Sequence, residues 1–275
     1  MTKLLDLFLK NRCHAFILIV LGLFHLLFFL TGCSLFKSQP VVQMPPVKRT
    51  GDPIQDIRTR ADRIRSIEIR GRLSIRTRTR KYPSFSVAIW FYSHSERLNL
   101  RIRGSGPLGV SVFDLLADRQ EAWIYVPREG KILKGNTFFT SHGSIGVDAA
   151  IQLMEICLNP WSPVRNCSST KKEYMAERKD GRMVARIKCR FLGHDLALSY
   201  DLSSLEPLTF DSSLATISFR AGDSDQATSY PREISFNLKK DGISGTLKVQ
   251  QVKVNTISPD SPIFERSIFS PLKTM

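Results

Sequence analysis

From Ile69 onward, apolar residues recur at every second position, in one short segment after another, with few residues between the segments. Gly71, Leu73 and Ile75 share one face of the first segment. Phe85, Val87, Ile89 and Phe91 share one face of the second, and Leu98, Leu100 and Ile102 one face of the third. Period two places alternate side chains on opposite faces of a strand, so each segment is half apolar and must bury that half. Such a meander favours an antiparallel sheet over a doubly wound one. Further short strands follow at 110–114, 122–127 and 131–133, with Arg128–Gly130 as a turn.

Two helices accompany the strands. Ile54, Ile57, Ala61, Ile64 and Ile67 recur at helical spacing among Arg58, Arg60, Arg63 and Arg65. A second helix is expected over Gly146–Leu158, ending before Pro160, with Val147, Ile151 and Met154 on its apolar face; Trp161 and Pro163 then fall in a loop. Strands resume near Tyr174 and continue to Val254, with a bulge expected near Gln250 and Gln251. The expected architecture is one highly curved, unclosed antiparallel sheet covered by helices, over residues 53–257. Residues 258–275, with Pro259, Pro262 and Pro271, read as a loosely structured tail.

The segment before residue 53 has a different character. Lys3, Lys10 and Arg12 precede an apolar stretch, Ala15–Leu30, which ends in Leu30-Thr31-Gly32-Cys33. A positive start, an apolar run and small residues before a cut describe a secretory signal, with a membrane anchor as the rival. The placing of Cys33 decides for the signal, because Leu-Thr-Gly-Cys resembles the lipobox of bacterial lipoproteins. That resemblance implies cleavage after residue 32 and a covalent lipid on Cys33. It also implies an outer-membrane, periplasm-facing address, since Ser34 rather than Asp follows. Multiple acyl chains anchor stably, as one does not. Residues 33–52, with three prolines, read as the lipidated terminus and tether.

Charge narrows the partners. The chain carries 40 Lys and Arg against 25 Asp and Glu, a net +15. Without its first 32 residues, which hold three basic residues and one acidic residue, the net is +13. Arg70, Arg72, Arg76, Arg78 and Arg80 alternate on the outer face of the first strand, opposite Leu73 and Ile75. That face is either solvated or meets membrane head groups, lipid phosphates or an acidic envelope protein; nucleic acid is not expected outside the cytoplasm.

Catalytic and metal-binding patterns are missing. No Gly-x-Ser-x-Gly elbow, Walker loop or zinc-protease helix is present, and His94, His142 and His194 have no ligand spacing. An enzyme, a bound metal and a cofactor are therefore not expected. Cys157, Cys167 and Cys189 allow a Cys157–Cys167 or a Cys157–Cys189 disulfide, or remain buried thiols.

The block Arg97–Gly135 (RLNLRIRGSGPLGVSVFDLLADRQEAWIYVPREGKILKG) resembles the central part of the LolA/LolB superfamily, and more closely the LolB-like lipoproteins. Tyr230-Pro231-Arg232-Glu233-Ile234 and Val254-Asn255 resemble their closing part. The resemblance implies an unclosed barrel that accommodates acyl chains, with acylated lipoprotein cargo delivered by a LolA-like carrier. The candidate cavity wall is then Leu73, Ile75, Phe85, Val87, Ile89, Phe91, Leu98, Leu100 and Ile102, and the lid is Ile57, Ile64, Val147, Ile151 and Met154. The same residues would equally fill a packed core. Leu108, in Gly106-Pro107-Leu108-Gly109, matches the membrane-insertion loop of that family. The alternative is a non-enzymatic structural or interaction subunit of a cell-envelope assembly.

Overall fold

The period-two segments pair as expected, each with its neighbour in sequence. A computed structural model describes residues 50–94, 97–140, 143–166, 168–179, 182–191, 193–221 and 230–266. The chain divides into two compact units, Met1–Gln39 and Pro40–Met275, and every described residue belongs to the second. The signal segment, Cys33, the tether up to residue 49, Cys167 and residues 267–275 lie outside the described residues.

Strands β1 (Ser66–Arg76), β2 (Phe85–His94), β3 (Arg97–Ser105), β4 (Ser111–Asp118), β5 (Ala122–Val126) and β6 (Lys131–Gly135) form a first antiparallel meander. A hairpin of β7 (Thr137–Thr140) and β8 (Gly143–Gly146), which periodicity did not reveal, makes a separate small sheet. A second meander runs through β9 (Ser168–Lys179), β10 (Arg182–Phe191), β11 (His194–Asp201), β12 (Pro207–Ser212), β13 (Ala215–Arg220), β14 (Glu233–Leu238) and β15 (Ile243–Val254). The last strand returns to pair antiparallel with the first, which joins the two meanders into one sheet of 13 described strands. Its edges are β6 and β9, so it is not closed into a barrel. The β1–β15 ladder steps from Arg70↔Gln251 to Gly71↔Val249, leaving Gln250 as the extra residue of a bulge where one was expected.

Helix α1 (Pro53–Arg63) starts where its sequence supplies a cap. The Asp52 side chain accepts from the Ile54 N–H at 2.9 Å, Pro53 occupies the first turn, and Arg60 and Arg63 sit in the last turn. Ile57 and Ala61 are fully buried. Helix α2 (Val147–Leu158) is followed by a further short helix, α3 (Ser162–Asn166), where a loop was expected.

Three buried aromatic residues bolt this helical corner to the second meander. The Trp161 indole donates to the Leu205 carbonyl at 2.8 Å, and the Tyr200 hydroxyl to the Pro160 carbonyl at 2.9 Å. The Tyr230 hydroxyl donates to the Leu158 carbonyl at 2.7 Å. The last of these satisfies a carbonyl that the end of α2 leaves without a helical partner, and the Tyr200 bond takes the Pro160 carbonyl just beyond it. The buried Arg60 guanidinium lies 5.4 Å from the centre of the Trp161 ring, tying α1 to the same corner.

The stretch after Pro259 is not loose where it is described. Pro262–Phe264 form a 3-10 turn, and Phe264 joins Tyr125 and Ile132 in packing against the buried pair Leu116 and Trp123 on the outer face of the sheet. Arg266 lies 4.2 Å over the Trp123 ring and pairs with Asp118 at 2.6 Å. Beneath this strap, Arg101 and Asp114 make a buried two-bond pair at 2.9 and 2.5 Å, and Arg101 also donates to the Ile263 carbonyl at 3.0 Å. Pro259 and Pro262 thus lie in a segment held by side chains from β3 to β5, while Pro271 lies outside the described residues.

Candidate functional site

The inner face of the sheet is apolar from strand to strand. One cross-strand row runs Val252, Ile69, Ile89, Ile102, Leu115 and Ile124; the next runs Val254, Ile67, Phe91, Leu100, Ala117 and Ala122. The candidate wall therefore shares one face, because each register step of two keeps a side chain on its side of the sheet. Its depth varies along the strands. Val87, Ile89, Phe91, Leu98 and Leu100 are buried, and Ile57, Ile64, Val147 and Ile151 are buried with them in one contiguous core. Met154 is half-buried against that core, and Ile64 stands just past the end of α1 rather than inside it. Under the helices, wall and lid are packed together.

Towards the end of the sheet that carries the β1–β2, β3–β4 and β14–β15 connections, the same face opens. Leu73, Ile75, Phe85, Phe113, Phe236 and Ile243 are all half-buried. Register links them: Leu73 lies between Phe85 and Leu247, and Ile75 faces Gly245, which in turn faces Phe236. Phe85 and Phe113 meet edge to face at 5.7 Å. Gly104 makes room for this arrangement, since a Cβ there would sit 2.4 Å from the Phe113 ring. Gly245 does the same for Phe236, also at 2.4 Å. The result is a half-exposed apolar patch at the end of the sheet, the mouth of the candidate site, of which Phe113 and Phe236 carried no sequence signal beyond their place in alternating segments.

Leu108 stands beside that mouth. Pro107–Gly109 form a 3-10 turn between β3 and β4, closed by the Gly106 N–H donating to the Val110 carbonyl at 2.8 Å. Phe113, in the mouth, faces Gly104, three residues before Pro107. Leu108 has φ +58° and is fully exposed, and Val110 and Val112 are exposed with it. Left-handed backbone disfavours any side chain with a Cβ, and an exposed leucine gains nothing from water. Local folding does not explain a leucine in such a place.

The arginine series divides at the end of β1. Arg70, Arg72 and Arg76 lie on the strand and are exposed, with Arg70 held by Glu68 at 3.3 Å. Arg78 and Arg80, expected on the same strand, fall in the β1–β2 connection instead, because β1 stops at Arg76. There the Arg78 guanidinium donates to the Lys240 carbonyl at 3.1 Å, and Arg80 stacks over Tyr82 at 5.0 Å.

The cysteine arrangement also differs from expectation. Cys157 is a free thiol, so neither bridge drawn through it forms, and burial pushes that thiol up to about 12. Cys189 is disulfide-bonded, with its partner outside the described residues. Among the described residues no cluster of His, Cys, Asp and Glu is placed to hold a metal, and no helix is long and apolar enough to cross a membrane. At the opposite end of the sheet, a polar cleft of about 520 Å³ is lined by residues including Asp62, Arg63, Tyr92 and Asn255, and includes none of the wall.

No protein-family model matches the chain, and no curated protein matches it. Solved structures do. A DUF1329 family protein from Desulfovibrio piger superposes with a TM-score of 0.56 at 12% identity, over 79% of this chain and 96% of that one. A candidate outer membrane lipoprotein-sorting protein domain from Vibrio parahaemolyticus superposes with a TM-score of 0.53 at 11% identity, over 78% of this chain and 96% of that one. A LolA superfamily protein from Nitrosomonas europaea gives a TM-score of 0.48 at 14% identity, over 78% of this chain and 98% of that one. The chain thus shares the fold of the first two, a large antiparallel sheet left open and covered by helices. The likeness is one of fold and does not extend to LolB in particular.

Proposed function

We propose that this is a lipid-anchored protein on the periplasmic side of the outer membrane, with its lipid on Cys33, that accommodates acyl chains between sheet and helices. The observation that carries the reading is a fully exposed leucine, held left-handed, beside a half-exposed apolar mouth. An acyl chain leaving water gains about 0.8 kcal/mol for each methylene covered. The mouth offers apolar side chains to the first methylenes. Deeper entry requires the helices to part from the sheet, because wall and lid form one packed core. The function is lipoprotein or lipid localisation, with cargo received from a LolA-like carrier, and involves no covalent chemistry, metal or cofactor.

That packed core favours a second reading, a structural or interaction subunit of a cell-envelope assembly on the same scaffold. Native mass spectrometry of the purified protein, mixed with acylated peptide, separates the two. The carrier reading expects a bound acyl chain, and capture should be lost on adding charge at the mouth with Phe113→Glu. A wild-type protein that captures neither lipid nor acylated peptide would leave the second reading in place.

A further inference from the structure

The rim that carries the Leu108 turn also carries an excess of positive charge, with six basic residues against Glu129 and Asp241 in two of its turns. Arg76 ends β1, Arg78, Arg80 and Lys81 occupy the β1–β2 connection, Arg128 the β5–β6 turn and Lys240 the β14–β15 turn; all six are exposed. Register places these elements at one end of the sheet. Arg76 faces Ser244, Ser105 faces both Ser86 and Ser111, and Val126 faces Lys131. At about 4.8 Å per strand, Lys240 and Arg128 are roughly 29 Å apart along the rim. None of the six makes an ion pair with a described residue, whereas Arg70, Arg97 and Lys134 are paired with Glu68, Asp260 and Glu121. The bond from Arg78 to the Lys240 carbonyl and the stacking of Arg80 on Tyr82 hold two guanidinium groups in place without neutralising them.

We infer that this rim docks on an anionic bilayer, its basic side chains on lipid phosphates while the Leu108 turn enters the acyl region. This rests on the reading of that turn as membrane-facing. An acidic protein surface would satisfy the charges but would leave Leu108 and Val110 in water, whereas an anionic lipid interface takes up cations and apolar side chains at adjacent depths. Guanidinium groups fit phosphate oxygens through paired N–H donors, and the exposed Tyr82 belongs at the head-group level.

The test uses the full-length chain, reconstituted through its own N-terminal segment into phosphatidylcholine vesicles with or without phosphatidylglycerol. Hydrogen exchange over residues 77–84 and 106–110 reports docking. Exchange should slow on the phosphatidylglycerol vesicles, and added salt should reverse the protection. In Arg78→Gln/Arg80→Gln the docking equilibrium constant should fall about 25-fold, at roughly five-fold per charge removed; Arg78→Lys/Arg80→Lys should restore most of it. Equal protection on both vesicle types, protection that ignores salt, or none on either would overturn the inference. Acyl-chain capture without vesicles should be unchanged in the glutamine variant. Protection without any capture in wild type sinks the carrier reading alone.

Discussion

Replacing Leu108 with glycine should move stability and membrane binding in opposite directions. A non-glycine residue held left-handed costs about 1–2 kcal/mol. Leu108 recovers none of that by packing, since it is fully exposed at φ +58°. Glycine removes the strain but gives the unfolded chain more freedom, a loss of about 0.5–1 kcal/mol. The balance is a gain of roughly 0.5–1 kcal/mol, or about 1–4 °C in Tm for a domain of this size. In the bilayer the sign reverses. Burying a leucine side chain is worth about 1.5–3 kcal/mol, so vesicle partitioning should fall about 10- to 100-fold. Leu108→Ala keeps the strain and loses the apolar area, so it should weaken binding with no gain in Tm. Thermal unfolding and vesicle co-sedimentation on the same preparations give both numbers. A glycine variant that loses stability would show that Leu108 packs against the fold. One that partitions like wild type would show that the turn stays out of the bilayer.

Three further outcomes follow from the packing. Asp114→Asn leaves Arg101 buried without its counter-charge and should destabilise the fold by about 3–5 kcal/mol in denaturant titrations; a loss under 1 kcal/mol would show that Arg101 escapes to solvent. The Cys157 thiol, pushed up to about 12 by burial, should resist iodoacetamide at neutral pH until the protein is unfolded, and rapid native labelling would contradict its placement. Burial raises the Glu155 carboxyl above its ordinary 4.5, against the lowering effect of Arg165 and Ser93. A raised carboxyl binds its proton more tightly in the folded state, so its contribution is fully present at low pH and lost as pH rises through the folded value. Glu155→Gln should flatten that part of the stability–pH curve, and a parallel curve would assign the slope elsewhere.

Local period was enough to read the strands of the first meander, the helix around Ile57 and the helix from Val147, because each rests on contacts within a few residues. The bulge at Gln250 was legible for the same reason, as a break in alternation. Register across 180 residues of chain was not, so the return of β15 to β1 appears only in the structure. The arginine series shows the limit of alternation. Arg78 and Arg80 continue the period of β1, yet no partner strand extends that far, and both become loop residues at the rim. Residues 258–266, expected in a loose tail, lie against the sheet instead, because prolines mark loops and disorder alike and only Phe264 on Trp123 distinguishes them; the rest of that expectation lies outside the described residues. At the site, a tight turn was legible in Gly-Pro-Leu-Gly, but whether Leu108 folded back onto the core or stood in water was not. The mouth was not, since partial burial of Phe113 and Phe236 depends on how far the helices extend over the sheet.

The central claim is that acyl chains enter at this mouth. A phospholipid with a photoreactive group on its acyl chain, activated in the presence of the protein and mapped by mass spectrometry, tests it most directly. The account predicts adducts on Leu73, Phe85, Phe113 and Phe236, with labelling of Ile89 and Leu100 only where the helices have parted. Adducts confined to the outer face, or absent from the mouth while Leu108 is labelled, would contradict it.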